Sequence, residues 1–140
     1  MPRAFFDHTG DVGVSLHAPS VAQLFREGAM AFTETITELA QVRAESPHRI
    51  EIAAAGLDDL LVDWLGELLY RFEVQNLLVA NADVDVQQTP AGWSLAATAW
   101  GEPFDRARHH IKVLVKGITY HRLSVSEDAD LWHTDVVFDI

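Results

Sequence analysis

A chain of 140 residues that is 49% hydrophobic has the material for one sizeable core, which excludes a disordered tail or linker. It contains no cysteine, so disulfides, thiolate zinc sites and cysteine nucleophiles are excluded. A formal charge of −11 repels phosphate backbones and argues against a freestanding nucleic-acid binder, and no apolar run approaches the ~20 residues of a membrane span. The opening "MPRAFF" has neither a hydrophobic signal core nor an Arg/Ser-rich transit segment, so the expected location is the cytoplasm.

In chain order, "DHTGDVGV" (residues 7 to 14) crowds two aspartates, a histidine and two glycines at the mouth of the first expected strand. That strand, residues 11 to 18, places Val12, Val14, Leu16 and Ala18 on one side at period two, and Pro19 ends it. Ser20 and Gln23 have capping-box spacing, and Val21, Leu24, Phe25, Phe32 and Ile36 follow at helical spacing to about Thr37. A polar loop holding Pro47 leads to a short strand, "RIEIAA".

From Gly56 the apolar stripe Leu57, Leu60, Leu61, Trp64, Leu65, Leu68, Leu69 and Phe72 predicts a second amphipathic helix. The stripe reads as core; the alternative is that Trp64 and Tyr70 help form a partner surface. After Asn76 the period returns to two. "LLVANADVDVQ" and "GWSLAATAWGE" are strands joined through Thr89-Pro90-Ala91-Gly92. "IKVLVKGITYHRLSVS" is one bent strand or two with Gly117 as a bulge, residues 127 to 130 turn, and "LWHTDVVFDI" is the last strand. The pattern predicts an α+β fold: one domain over residues 1–140, a mostly antiparallel sheet, two helices on one face and the order β-α-β-α-β-β-β-β.

Charge is uneven. Arg106, Arg108, Lys112, Lys116 and Arg122 are half of the 10 Lys and Arg residues, and no acidic residue interrupts 106 to 122, which also holds His109, His110 and His121. Two readings stand: a solvated sheet face, or a docking patch for phosphate or an acidic partner.

The chain given ends on "VVFDI", so Asp139 and the α-carboxylate of Ile140 are consecutive carboxylates. If the last strand pairs antiparallel with the first, its end meets Asp11, and neighbouring strands are only ~5 Å apart. Three carboxylates there would repel one another unless a hard divalent cation, which prefers oxygen ligands, sat between them. The competing reading is plainer: Asp7 caps a turn, Asp11 faces solvent and Asp139 is a surface strand residue. His8 reads first as a structural hydrogen-bonding residue. No H-E-x-x-H, Walker loop, G-x-G-x-x-G or G-x-S-x-G is present, so no catalytic constellation is expected.

Four segments in order carry a resemblance. "DHTGDVGV" resembles the "HTADVG" signature of the archease family, with Gly10 where Ala is usual. "LFREGAMAFTETIT" and "LLVDWLGELLYRFE" continue it, and "GEPFDRARHHIKVLVKGITYHRLSV" is similar to the family's "GE…H…VKAVTYH", with Gly117 for Ala. The terminal "VVFDI" matches the family's Asp-Ile ending. The resemblance implies no enzyme but a protein cofactor of the GTP-dependent RNA ligase RtcB in tRNA splicing or RNA repair. Such a cofactor promotes ligase guanylylation and multiple turnover and broadens nucleotide specificity. It implies a divalent metal site at Asp11, Asp139 and Ile140, seen with calcium in the family, with magnesium or manganese as other candidates. His8 and Lys116 are candidate contacts to ligase or phosphate. The expected partner is the ligase, without direct nucleic-acid or membrane binding. A general chaperone or modulator of nucleic-acid-processing proteins and a metal-dependent phosphoester hydrolase are the competing functions.

Overall fold

The structure, a computed structural model, describes residues 2–8 and 10–140, without the side chain of His8. Strand β1 (Arg3–His8) turns through Gly10, at φ +73°, into β2 (Asp11–Ala18). Along β2 the even positions Val14, Leu16 and Ala18 go inward, as period-two alternation demands, while Asp11, Ser15 and His17 are half-exposed. Helix α1 (Val21–Ile36) starts where the Ser20 hydroxyl accepts the Gln23 amide at 3.2 Å, and it buries Leu24, Phe25, Phe32 and Ile36. After β3 (Ser46–Ala54), helix α2 (Leu57–Gln75) buries Leu60, Leu61, Trp64, Leu65, Leu68 and Leu69, and Asn76 in the left-handed region ends it. A hairpin of β4 (Leu77–Thr89) and β5 (Gly92–Pro103) follows, then β6 (Gly117–Thr119), β7 (Ser126–Asp128) and β8 (Leu131–Asp139).

All strand pairs are antiparallel, and they sort into two sheets. The first has the order β1-β2-β8-β6, with β7 also on β8, and the second is β3-β5-β4. Helix α1 packs on β2, β8 and β4, and α2 on β3, β4, β5 and β6, so both helices serve both sheets. One apolar cluster results: Val14, Leu16, Val136 and Phe138 from the first sheet and Leu95, Ala97 and Ala99 from the second close around the helices. The Trp64 indole N–H is satisfied inside it by the Phe25 carbonyl, at 2.9 Å. Among the described residues no helix is long and apolar enough to cross a membrane.

The two helices and the antiparallel pairing agree with expectation; several strand assignments need correction. The expected pattern began at residue 11 and lacked β1. Pro47, expected in a loop, lies in β3, an edge strand where a missing amide is tolerated. The long strand expected over 111–126 is reduced to the short β6 and β7, because 111–116 alternates in burial but has no strand partner among the described residues. Consequently the basic stretch is not a sheet face. Gly117 opens β6 and is no bulge; the break in register lies between Val79 and Asn81, where β4 passes Gly101. A Cβ on Gly101 would stand 2.0 Å from the Leu78 carbonyl oxygen, so this crossing requires glycine.

Candidate functional site

The β2–β8 register sets Asp11 directly opposite Asp139, and Asp139 is in turn opposite Gly117 on β6. On the other side of Asp11, β1 places His8 in the same row. Directly opposed residues of an antiparallel pair share a face with Cβ atoms about 5 Å apart. Asp11 and Asp139 belong to the odd-numbered set of their strands, on the sheet face away from Val136 and Phe138. Asp139 is exposed and Asp11 half-exposed, so this acidic pair is presented outward at the end of the sheet. Lys116 adjoins it: its amide donates to the Asp139 carbonyl at 2.7 Å, and its side chain is exposed.

The same face is built up on the next rows. Phe6 lies opposite Gly13, and a Cβ on Gly13 would be 2.3 Å from the Phe6 ring, so the absent side chain is the space the ring occupies. The Arg122 guanidinium sits 4.5 Å above that ring and donates to Asp135 at 2.7 Å, while the Ser15 hydroxyl donates to the other Asp135 oxygen at 2.7 Å. Val137, opposite Gly13 in the Phe6 row, is fully buried although it points away from the main core. Arg122 therefore ties the turn after β6 to β1 and β8 beside the carboxylate pair. It does so at φ +62°, an uncommon conformation for a residue with a side chain.

A second polar cluster holds the segment that leads to Lys116. Glu102 is 2% exposed, yet its carboxylate accepts the Arg43 amide at 2.7 Å, the His109 ring at 3.0 Å and the Arg108 guanidinium. Burial alone would raise its pKa, but those three hydrogen bonds and the Arg108 charge outweigh burial and hold it below the ordinary carboxylate range. His109 Nδ1 accepts the Asp105 amide at 2.9 Å, so the ring proton on Nε2 is the one that reaches Glu102. Beyond His109 the chain is fastened to the end of α1: Thr37 donates to the His110 carbonyl, and the Lys112 amide donates to the Ile36 carbonyl, both at 2.7 Å. Spacing drew attention to the cations here; it did not show that Glu102 and His109 pair, because a buried charge has no periodic signature.

The structure thus brings Asp11, Asp139 and the start of Ile140 to one spot with Lys116 alongside. The side chain of His8 lies outside the described residues. Among the described residues no group of three or more His, Cys, Asp or Glu side chains stands together as a metal cluster, so an ion here would need main-chain oxygen from Ile140 and water besides the two aspartates. The donor set, all hard oxygen, fits calcium, magnesium or manganese and not a soft metal. Concavities of ≈ 330 and ≈ 680 Å³ open around Arg106 and Arg108, away from Asp11 and Asp139, whose setting is an open sheet end.

Comparison with known proteins gives one answer. The profile of the archease protein family (MTH1598/TM1083) matches residues 4–140. The archease of Methanopyrus kandleri is 33% identical over 140 residues, covering the whole of both chains. That of Methanosarcina barkeri is 31% identical over 137 residues, 97% of this chain and 94% of that protein. The solution structure of Methanobacterium thermoautotrophicum protein 1598 superposes with a TM-score of 0.85 at 27% identity, over 99% of each chain. The crystal structure of a Thermotoga maritima archease, described as a possible chaperone, has a TM-score of 0.66 at 15% identity, over 96% of this chain and 94% of that one, and shows the fold alone. With a profile that runs from the first strand to the last residue, the chain belongs to the archease family.

Proposed function

We propose that this protein is an accessory factor of the GTP-dependent RNA ligase RtcB, in the cytoplasm, and that it acts with a divalent ion held at Asp11, Asp139 and Ile140. The observation that carries the reading is the direct register of Asp11 with Asp139 on an open sheet end. A carboxylate pair in a deep pocket would suit a small substrate; one presented on an exposed edge suits insertion into another protein's site. A hard cation held there would supply charge neutralisation next to the triphosphate during ligase guanylylation. The chain's own residues present the anionic ligands, keep them in register through the β2–β8 ladder, and fasten the backbone of Lys116, the candidate contact to phosphate or ligase, to Asp139. The reading makes the ligase the enzyme and gives this chain no RNA to bind.

The test is the rate of RtcB guanylylation with wild-type and Asp11→Asn proteins at fixed metal and GTP, next to a ligase-binding assay. Weak activation with intact binding is the expected result. Equal loss of both would make Asp11 a docking residue, and full activation by the mutant would overturn the metal role. A general chaperone role is the second reading, favoured by the open site and by the description of the Thermotoga protein. Pull-down from lysate separates the two: one dominant ligase, or many unrelated clients.

A further inference from the structure

Residues 111–116 alternate as a strand does: Ile111, Val113 and Val115 are half-buried or buried, and Lys112, Leu114 and Lys116 are exposed. Among the described residues only the ends of this segment make backbone hydrogen bonds, through the Lys112 amide to Ile36 and the Lys116 amide to Asp139. The amides and carbonyls of Val113, Leu114 and Val115 enter no strand ladder, and Leu114 is 60% exposed. Extended backbone with unspent donors and acceptors is a template for another strand. Beside it lies a groove of ≈ 400 Å³ lined by Phe5, Val12, Thr35, Lys112 and Val113, with Phe5 itself 44% exposed, and by Glu34, whose carboxylate is paired with Arg3.

We propose that residues 111–116 take up an extended acidic segment of a partner protein as an added strand. Charge chooses the occupant. The stretch 106–122 carries five cations and no acid in a chain of net charge −11; of the two that flank Leu114, Lys116 is exposed, and Lys112 is exposed with its ammonium donating to the Glu34 carbonyl at 3.0 Å and 3.4 Å from Glu38. A partner strand with Asp or Glu two residues either side of an apolar residue sets its acids on Lys112 and Lys116 and its apolar side chain on Leu114. Its alternate residues then face Val113 and the Phe5–Val12 groove. A second copy is the poorer fit: antiparallel self-pairing centred on Leu114 would set Lys112 against Lys116 of the copy, and like charges directly opposite destabilise a pair. The surface is independent of the metal reading, since it needs only a partner of this pattern, whether ligase or not.

The experiment uses the full chain and a short blocked peptide with glutamates two residues either side of a central leucine. Binding is followed by fluorescence anisotropy, and amide exchange at 113–115 by NMR. Saturable binding with slowed exchange at these amides is expected, together with no binding of the same peptide carrying lysines. Val113→Pro removes an amide on the edge opposite the Lys112 and Lys116 bonds, the edge open to an added strand, and should weaken binding about tenfold. If that variant does not fold, Leu114→Glu keeps the backbone and should repel the acidic peptide. Absence of peptide binding up to about 1 mM, with exchange unchanged, would overturn the proposal. So would protection at 113–115 that rises with protein concentration alone and accompanies a dimer in sedimentation, which would make the occupant a second copy.

Discussion

Single side chains carry the most direct tests. The Tyr120 phenol donates to the Asp59 carboxylate at 2.7 Å, and this hydrogen bond, with burial and the nearby charges of Asp59, Asp63 and Asp58, pushes its pKa up to about 12. Losing the proton would place two anions in contact. Absorbance titration of the phenols should therefore show Tyr120 ionising near 12, and Asp59→Asn should bring its midpoint down toward the ordinary 10. An unchanged midpoint would mean the hydrogen bond is absent in solution. Glu102 works in the opposite direction. Its carboxyl is held below the ordinary 4.5, so the unfolded chain takes up this proton more readily than the folded one. The stabilisation it gives is complete above about 4.5 and fades as pH falls toward the folded value. Denaturant titrations across acid pH should show that decline in the wild type and a flatter one in Glu102→Gln, which should also be less stable at neutral pH because Arg108 and His109 lose their anionic acceptor.

Among the elements, α2 should be the most sensitive to truncation. Trp64 is fully buried, and its N–H is used inside the core, so Trp64→Ala removes a large packed volume together with the hydrogen bond to the Phe25 carbonyl. A loss of ~3–5 kcal/mol is expected, measured by denaturant unfolding. The same helix shows what periodicity can reveal: a stripe of leucines and a tryptophan at 3.6 spacing has one physical solution, burial. Period two is less complete information. It matches the alternating burial of 111–116, but alternation describes one strand and pairing needs two, so the missing ladder partner was invisible. Strand β1 was hidden for a different reason. Arg3 shares the row of Leu16 and is carried inward on ion pairs with Glu27 and Glu34, so "RAFFDH" lacks a clean apolar face. At the site, the spacing argument depended on the two strands being neighbours. It could anticipate that Asp11 and Asp139 meet, and it had no means of seeing Phe6 over Gly13 or Arg122 across both, since those contacts come from a turn folding back.

At the scale of the whole molecule, net charge and the carboxylate pair make separable claims on stability. A charge of −11 on 140 residues repels itself, and added salt should relieve that repulsion in any variant. An ion bound by Asp11, Asp139 and Ile140 adds a different increment, because a ligand that binds only the folded state stabilises it by mass action, about 2.7 kcal/mol at a concentration 100-fold above Kd. Melting curves at matched ionic strength in sodium and calcium chloride distinguish the two. Wild type should melt higher in calcium than in sodium, by about 3 °C for each kcal/mol of binding linkage. Asp11→Asn should keep the sodium response and lose the calcium excess, since a hard cation is deprived of one of few anionic ligands. An equal calcium excess in both proteins would reduce the effect to screening and remove the ion from the Asp11–Asp139 row.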